Sequence, residues 1–289
     1  MVTGSGSGAA VGPSDERRHP PRPDPDWEES WQFEFAAQDG SLGGFVRLTL
    51  RPGDGTAWYW AYLAGPRRPV VVVRDHEVEP PRSRTLEVRG PGLWAQVICE
   101  TPFDHWSVGL EAGGVALDDP AEGLRGERGQ PIPMGLDMEW EATGEPAGDA
   151  AGYVVPAIVN GDLLLGADRW ELDALAWWSH RWGRPPWRED GWWWAAGTMA
   201  DRTSVAAGAP GRGWSWTGRG HPRPAPLDPD VSLSPERLTG GGLDITLSPV
   251  AWAFVPLPGG KALARSLCSW SRAQERGWGW CERLQTPAP

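Results

Sequence analysis

The stretch "WQFEFAA" alternates Trp31, Phe33 and Phe35 with Gln32 and Glu34, the period of two expected of a strand with one buried face. Strand signals recur at short intervals in "FVRLTL", "AWYWAYL", "PVVVV", "RTLEV", "LWAQVICE", "WSVGLEA" and "MGLDMEWEA". In the last of these, Met134, Leu136, Met138 and Trp140 share one face and Asp137, Glu139 and Glu141 the other. That segment predicts an antiparallel strand with a wet side. Further on, "YVVPAIVNGDLLLG" sets Asn160-Gly161 between apolar runs, which predicts a hairpin turn there. Strand signals continue through "WWWAAGTM", "TSVAAG", "GWSWTG", "LDITLSPVAWAFVPL", "SLCSWSRA" and "GWGWCERL".

Breaks in the pattern suggest the organisation. Residues 1–26 are rich in Gly, Ser, Pro and charge and predict a disordered tail. The small and polar "EATGEPAGDAAG", residues 141–152, reads as a linker between two strand-rich halves, 27–148 and 149–289. No stretch sustains a helical period, and 39 Gly with 30 Pro disfavour long helices. The expected fold is all-β, with two consecutive antiparallel barrels, each of a size that fills its interior or encloses one small ligand.

Charge removes some functions. The net charge of −11 would repel a phosphate backbone, so no nucleic-acid partner is expected. No apolar run is long enough for a membrane span or a secretory h-region, and the expected location is cytoplasmic. Cys99, Cys268 and Cys281 match no zinc spacing, and the five His show no paired spacing on one face. Neither metal nor cofactor is expected. The sequence does not indicate the oligomeric state.

The densest candidate chemistry lies in "AWWSHRWGRPPW", residues 176–187. His180 has a side chain suited to proton transfer near neutrality, with Asp201 or Glu189 as the neighbouring acid. Trp178, Trp182, Trp187 and Trp193, with Trp58 and Trp60 from the first half, suit the walls of an apolar pocket. Arg181 could stack on indole or clamp an oxyanion, and His105 adds a polar contact.

Several phrases together carry a resemblance: "ESWQFEFAAQDGSLGGFVRLTL", "WYWAYLAGPRRPVVVVRDHEV", "CETPFDHWSVGLEAGGVALDDP", "GERGQPIPMGLDMEWEA" and "SHRWG". The chain resembles the hydroxyneurosporene synthase-like superfamily, which holds carotenoid 1,2-hydratases, AttH-like proteins and lipocalin-type Diels-Alderases, and within it a largely actinobacterial branch. The resemblance implies two lipocalin-like barrels with an apolar ligand pocket within or between them. It also implies that His180-Arg181-Trp182 matches a His-x-Trp motif associated with activity in the hydratases. Where that branch carries an acid before the histidine this chain has Ser179. Where a Tyr-x-Asp motif is expected it has "TMADRTSVAAGAPG", with Asp201.

The leading expectation is a protein that binds a hydrophobic, terpenoid- or polyketide-like molecule and catalyses its proton-initiated hydration, isomerisation or cyclisation, as a lyase would. The alternatives are a carrier of lipophilic ligands on the same fold and a Trp-rich carbohydrate-binding protein or glycosidase.

Overall fold

In the computed structural model, which describes residues 11–82, 85–126, 128–188, 191–209, 212–230 and 236–285, the strands form two antiparallel sheets that curl into barrel-like shapes. The first contains β1 (Glu28–Ala37), β2 (Gly43–Arg51), β3 (Thr56–Ala64), β4 (Val70–Val78), β5 (Leu86–Gly90) and β6 (Leu93–Thr101). It continues with β7 (His105–Leu117), β8 (Gln130–Ala142), β9 (Ala147–Asp149), β10 (Gly152–Leu165) and β11 (Asp168–Gly183). Its order is β4-β3-β2-β1-β11-β10-β8-β7-β6-β5, and pairing of Val70–Val72 with Val115–Leu117 joins β4 to β7. That contact closes a barrel, and the β5–β6 hairpin continues its wall from β7, with Leu86, Val88, Leu93, Ala95 and Val97 in the same buried core.

The second sheet holds β12 (Trp193–Met199), β13 (Thr203–Gly208), β14 (Arg212–Thr217), β15 (Arg223–Pro224), β16 (Asp228–Asp230), β17 (Glu236–Gly240), β18 (Leu243–Pro256), β19 (Ala262–Arg272) and β20 (Glu275–Gln285). Its order is β15-β14-β13-β12-β20-β19-β18-β17-β16. Among the described residues no helix is long and apolar enough to cross a membrane.

Three expectations are corrected. First, the chain does not divide at 148/149. β10 pairs with β8 and β11 inside the first sheet, so 141–152 is a tight return within one barrel and the sheets part after Gly183. The small residues there serve close packing: a Cβ on Gly148 would meet the Gly152 carbonyl oxygen at 2.3 Å. Second, Asn160-Gly161 is not a turn. Both lie inside the continuous strand β10, with Gly161 at φ 147° and its Cβ position 2.1 Å from the Asp137 carbonyl oxygen. The glycine there permits a close approach of β8, and the hairpin comes later, at Gly166 (φ 63°).

Third, the expected tail is a packed segment from Val11 onward. It carries a 3-10 turn at Pro13–Glu16, and Glu16 is only 3% exposed. Its Pro and charged residues suggested solvation, but its buried Glu16 and its partly buried His19 find partners inside the barrel mouth. Residues 1–10, the rest of that expectation, lie outside the described residues.

The strand β1 also buries more than alternation suggests. Trp31, Phe33 and Phe35 fill the first barrel, while Ser30, Gln32 and Glu34, expected to be wet, are covered by the second sheet. β8 behaves as expected, with Met134, Leu136, Met138 and Trp140 buried and Asp137 and Glu141 exposed.

Candidate functional site

Four strands and the N-terminal segment converge at the mouth of the first barrel. The antiparallel register sets Trp31 opposite His180 and Glu29 opposite Trp182, so these four side chains share the inward face of β1 and β11. Tyr153 sits across from His180 on β10. His180 is fully buried, its ring stacked on Trp31 at 4.3 Å.

Both nitrogens of His180 are engaged. Nδ1 lies 2.7 Å from the Asp15 carbonyl oxygen and Nε2 lies 3.1 Å from Oε1 of Glu29. The same Oε1 accepts the His19 backbone N–H at 2.7 Å and faces His19 Nδ1 at 2.9 Å. His19 in turn stacks on Trp182 at 3.8 Å. Burial lowers the pKa of His180 against the pull of Glu29. Burial acts the same way on His19, but Glu29 and Asp15 outweigh it and raise the value. Glu29 feels burial in the opposite direction, yet its hydrogen bonds to His180 and His19 leave its pKa lowered. The carboxylate that partners His180, expected from Asp201 or Glu189, comes instead from β1. Ligand atoms of His19, Glu29 and His180 lie within 4.8 Å of one another, a set able to hold a metal ion.

Beside this network is a cavity of about 700 Å³, walled by Pro13, Glu16 and Arg18 of the segment, Trp31, Trp106 and the β6 residues Val97 and Cys99. Its size suits a small organic molecule. Glu16 is the acid on its wall. Desolvation raises the pKa of this carboxyl to about 7, against weaker opposing contacts with Tyr153, the Phe103 backbone, Trp106 and Trp178. The Phe103 N–H reaches Oε1 at 3.1 Å from a residue held at φ 59°, an uncommon conformation for a non-glycine. The Cys99 thiol lies 3.9 Å from Oε2 and is pushed up to about 12 by burial and by Glu16. Around the same space, the Trp106 and Trp178 Nε1 groups and the Tyr153 hydroxyl are turned toward the Glu16 carboxyl, while the Nε1 of Trp31 is a buried donor without a hydrogen-bond partner. Such a donor is costly to leave idle and favours an acceptor atom of a bound molecule.

The other anticipated residues scatter. Trp178 lies in the barrel core beside Glu16, and Trp182 is half-buried at the rim. Arg181 points the opposite way from His180, into a space of only about 30 Å³ between the sheets, with Arg47, Trp187 and Glu282. That volume suits water more than a sizeable ligand. Trp58 and Trp60 cover the outer face of the first barrel, where Trp58 stacks on Trp187 at 6.2 Å and beneath Arg51 at 4.1 Å. Trp193 packs against the core of the second sheet.

His105 is on the outside, 2.7 Å from Glu139. Asp201 is not brought to His180: it lies in the turn between β12 and β13, bonded to the Thr203 N–H and to Arg272 at 2.6 Å. Glu189 lies outside the described residues. Sequence reasoning missed Glu16, His19 and Glu29. Glu29 had a signal, since it extends the inward series of Trp31, Phe33 and Phe35 by one step. Glu16 and His19 had none, because nothing local distinguishes them from solvated tail residues.

Comparison with solved structures gives likenesses of fold. The crystal structure of CghA matches with a TM-score of 0.56 at 12% identity, covering 90% of this chain and 88% of that one. Kievitone hydratase from Nectria haematococca matches at 0.56 and 12%, covering 89% of each chain. A putative AttH from Nitrosomonas europaea matches at 0.54 and 14%, covering 98% of each. No curated protein matches by sequence. Residues 12–220 match the family described as "Domain of unknown function (DUF7064)", a stretch that includes the segment bearing Glu16 and His19.

Proposed function

The chain belongs to the DUF7064 family, and on that premise we propose that its first barrel encloses a small, mainly apolar molecule carrying at least one oxygen acceptor, and transfers a proton to it from Glu16. The observation that carries this reading is a buried carboxyl, raised to about 7, on the wall of a cavity large enough for such a molecule. A carboxylic acid kept protonated near neutrality can donate to an alkene or a carbonyl. The product is a hydrated, isomerised or cyclised molecule, depending on whether water, a lost proton or an internal double bond resolves the cation.

The indoles of Trp31 and Trp106 line the cavity, where their faces would favour a developing cation. The unpartnered Nε1 of Trp31 would hold an oxygen of the substrate and fix its pose. In this reading the His180-Glu29-His19 network is a positioning device: it ties the segment that carries Glu16 to β1 and β11. The fold is shared with a protein named as a hydratase and with CghA, which has also been crystallised with Sch210972. Carbohydrate stacking finds little support, since Trp252 is the only exposed tryptophan among the described residues, at 37%.

The test begins with native mass spectrometry of the freshly purified chain and identification of the molecule it carries, followed by turnover of that molecule and its alkene precursors. Glu16→Gln keeps the shape of the site and is expected to retain the ligand while losing turnover by about 100-fold or more. Wild-type activity should fall as pH rises through about 7. Unchanged turnover in the variant would remove Glu16 from the chemistry. Ligand retention with no turnover in either protein would leave a carrier.

A further inference from the structure

We infer that His19, Glu29 and His180 form a binding site for a divalent first-row transition-metal ion at the mouth of the first barrel. Two imidazoles and one carboxylate are the donor set that zinc and ferrous ions take with positions left open. The ligating atoms are His19 Nδ1, Glu29 Oε1 and His180 Nε2, with Oε1 at 2.9 Å and 3.1 Å from the two nitrogens. Donors around one tetrahedral ion, bonded at roughly 2.0–2.2 Å, stand roughly 3.3–3.5 Å apart. The two distances to Oε1 need only a small expansion, and all three ligating atoms lie within 4.8 Å of one another.

Three further observations carry the assignment beyond convergence. Proton accounting comes first. The Asp15 carbonyl oxygen can only accept, so at 2.7 Å His180 Nδ1 is the protonated nitrogen of the neutral ring. That leaves Nε2 as the nitrogen available to a cation, with the anionic Oε1 of Glu29 3.1 Å away to take the cation's other side. Second, Asp15 engages the far nitrogen of both rings: its carbonyl holds His180 Nδ1, and its Oδ1 lies 3.4 Å from His19 Nε2. Metal-bound imidazoles characteristically have their second nitrogen held in this way, which fixes tautomer and ring direction. Third, both rings are pinned by indole faces at an interplanar angle of 19°, His180 on Trp31 and His19 on Trp182.

His180 and Glu29 are buried to 0% and 1% exposure, whereas His19 remains 21% exposed. The open coordination position therefore faces the rim, where water or a ligand oxygen can enter. Spacing along the chain conceals the site, because its histidines come from opposite ends of the first barrel's sequence and meet only when the N-terminal segment folds onto β11. The inference corrects the expectation of no metal and stands independently of what Glu16 does.

The experiment uses the full chain without a polyhistidine tag, stripped with a chelator and titrated with Zn2+ by calorimetry and with Co2+ by visible absorption. One equivalent is expected to bind, with the ligand-field bands of a four- or five-coordinate Co2+ site, while Mg2+, which prefers oxygen donors, gives no saturable heat. His180→Ala risks unfolding, so the decisive variants are His19→Ala, with an expected loss of affinity greater than 100-fold, and Asp15→Asn, with an expected loss of about 10- to 100-fold. Failure to bind either metal, which would leave only a shared proton in the cluster, overturns the inference. So does binding that His19→Ala leaves unchanged.

Discussion

A single side chain, Glu16, shows how environment outweighs composition. Its neighbours in sequence are Asp15, Arg17 and Arg18, a run that reads as solvated. Its neighbours in space are Tyr153, Trp106, Trp178 and Cys99, which remove water from a carboxyl that has no cationic partner among its contacts. The folded state therefore holds its proton more tightly than the unfolded chain does. Stability from this group is full below the ordinary value of 4.5 and is lost as pH rises through about 7. Glu16→Gln removes that loss. In denaturant melts the variant should match wild type at low pH and gain on it as pH rises, by about 3 kcal/mol above neutrality. A constant difference across the range would mean that Glu16 ionises normally. Legibility at this scale was uneven: His180 stood out among the tryptophans of 176–187 although β11 itself was not read as a strand, and Glu29 was readable from its parity on β1. Glu16 and His19 needed the fold.

At the scale of elements, alternation was a dependable guide and punctuation was not. A strand such as β8 followed from its periodicity, because each residue's face is fixed by the pleat. Gly and Pro were ambiguous, because the same glycine serves a turn or a close approach. Asn160-Gly161 turned out to be the latter, and the 13-PSDE-16 turn was read as tail although it closes the barrel mouth. Closure by this segment makes a measurable claim about Cys99, whose thiol is half-buried and pushed up to about 12 by burial and Glu16. A chain beginning at residue 20 loses no strand and should stay folded. Cys99 in it is expected to react with iodoacetamide at least about ten-fold faster than in the full chain, as its thiolate becomes accessible and less disfavoured. Cys268 and Cys281, buried in the second sheet, should stay unreactive in both and act as internal controls. Equal rates for Cys99 would show that the segment does not cover the mouth.

The two sheets meet over one buried apolar cluster that includes Phe45, Tyr62, Trp177, Val255, Leu267 and Trp280, and inside that joint lie charges that the sequence presented as surface. Glu34, on the face of β1 expected to be wet, meets Arg265 of β19, which also pairs with Glu282 of β20 at 3.4 Å. All three are at most 4% exposed, and the guanidinium lies 3.9 Å from the Phe45 ring centroid. The second sheet also reaches across through Trp280, whose Nε1 donates to the Phe35 carbonyl at 2.8 Å. Two barrels were legible from the strand count. Their boundary and their joint were not, since the face of β1 that carries Glu34 looks the same whether water or another sheet covers it. Arg265→Met keeps the bulk of the side chain but strips Glu34 of the cation it meets and leaves Glu282 with only Arg47 and Arg181 across the space between the sheets. Breaking one partner of a buried ionic cluster typically costs about 3–5 kcal/mol, and a loss of that size is expected in guanidinium unfolding. Adding Glu34→Gln and Glu282→Gln to the same chain should recover much of it, because the penalty lies in the stranded carboxylates more than in the missing cation. If the single variant were as stable as wild type, the sheets would be joined by apolar contact alone. If the triple variant recovered nothing, the contribution of Arg265 would be its packing on Phe45.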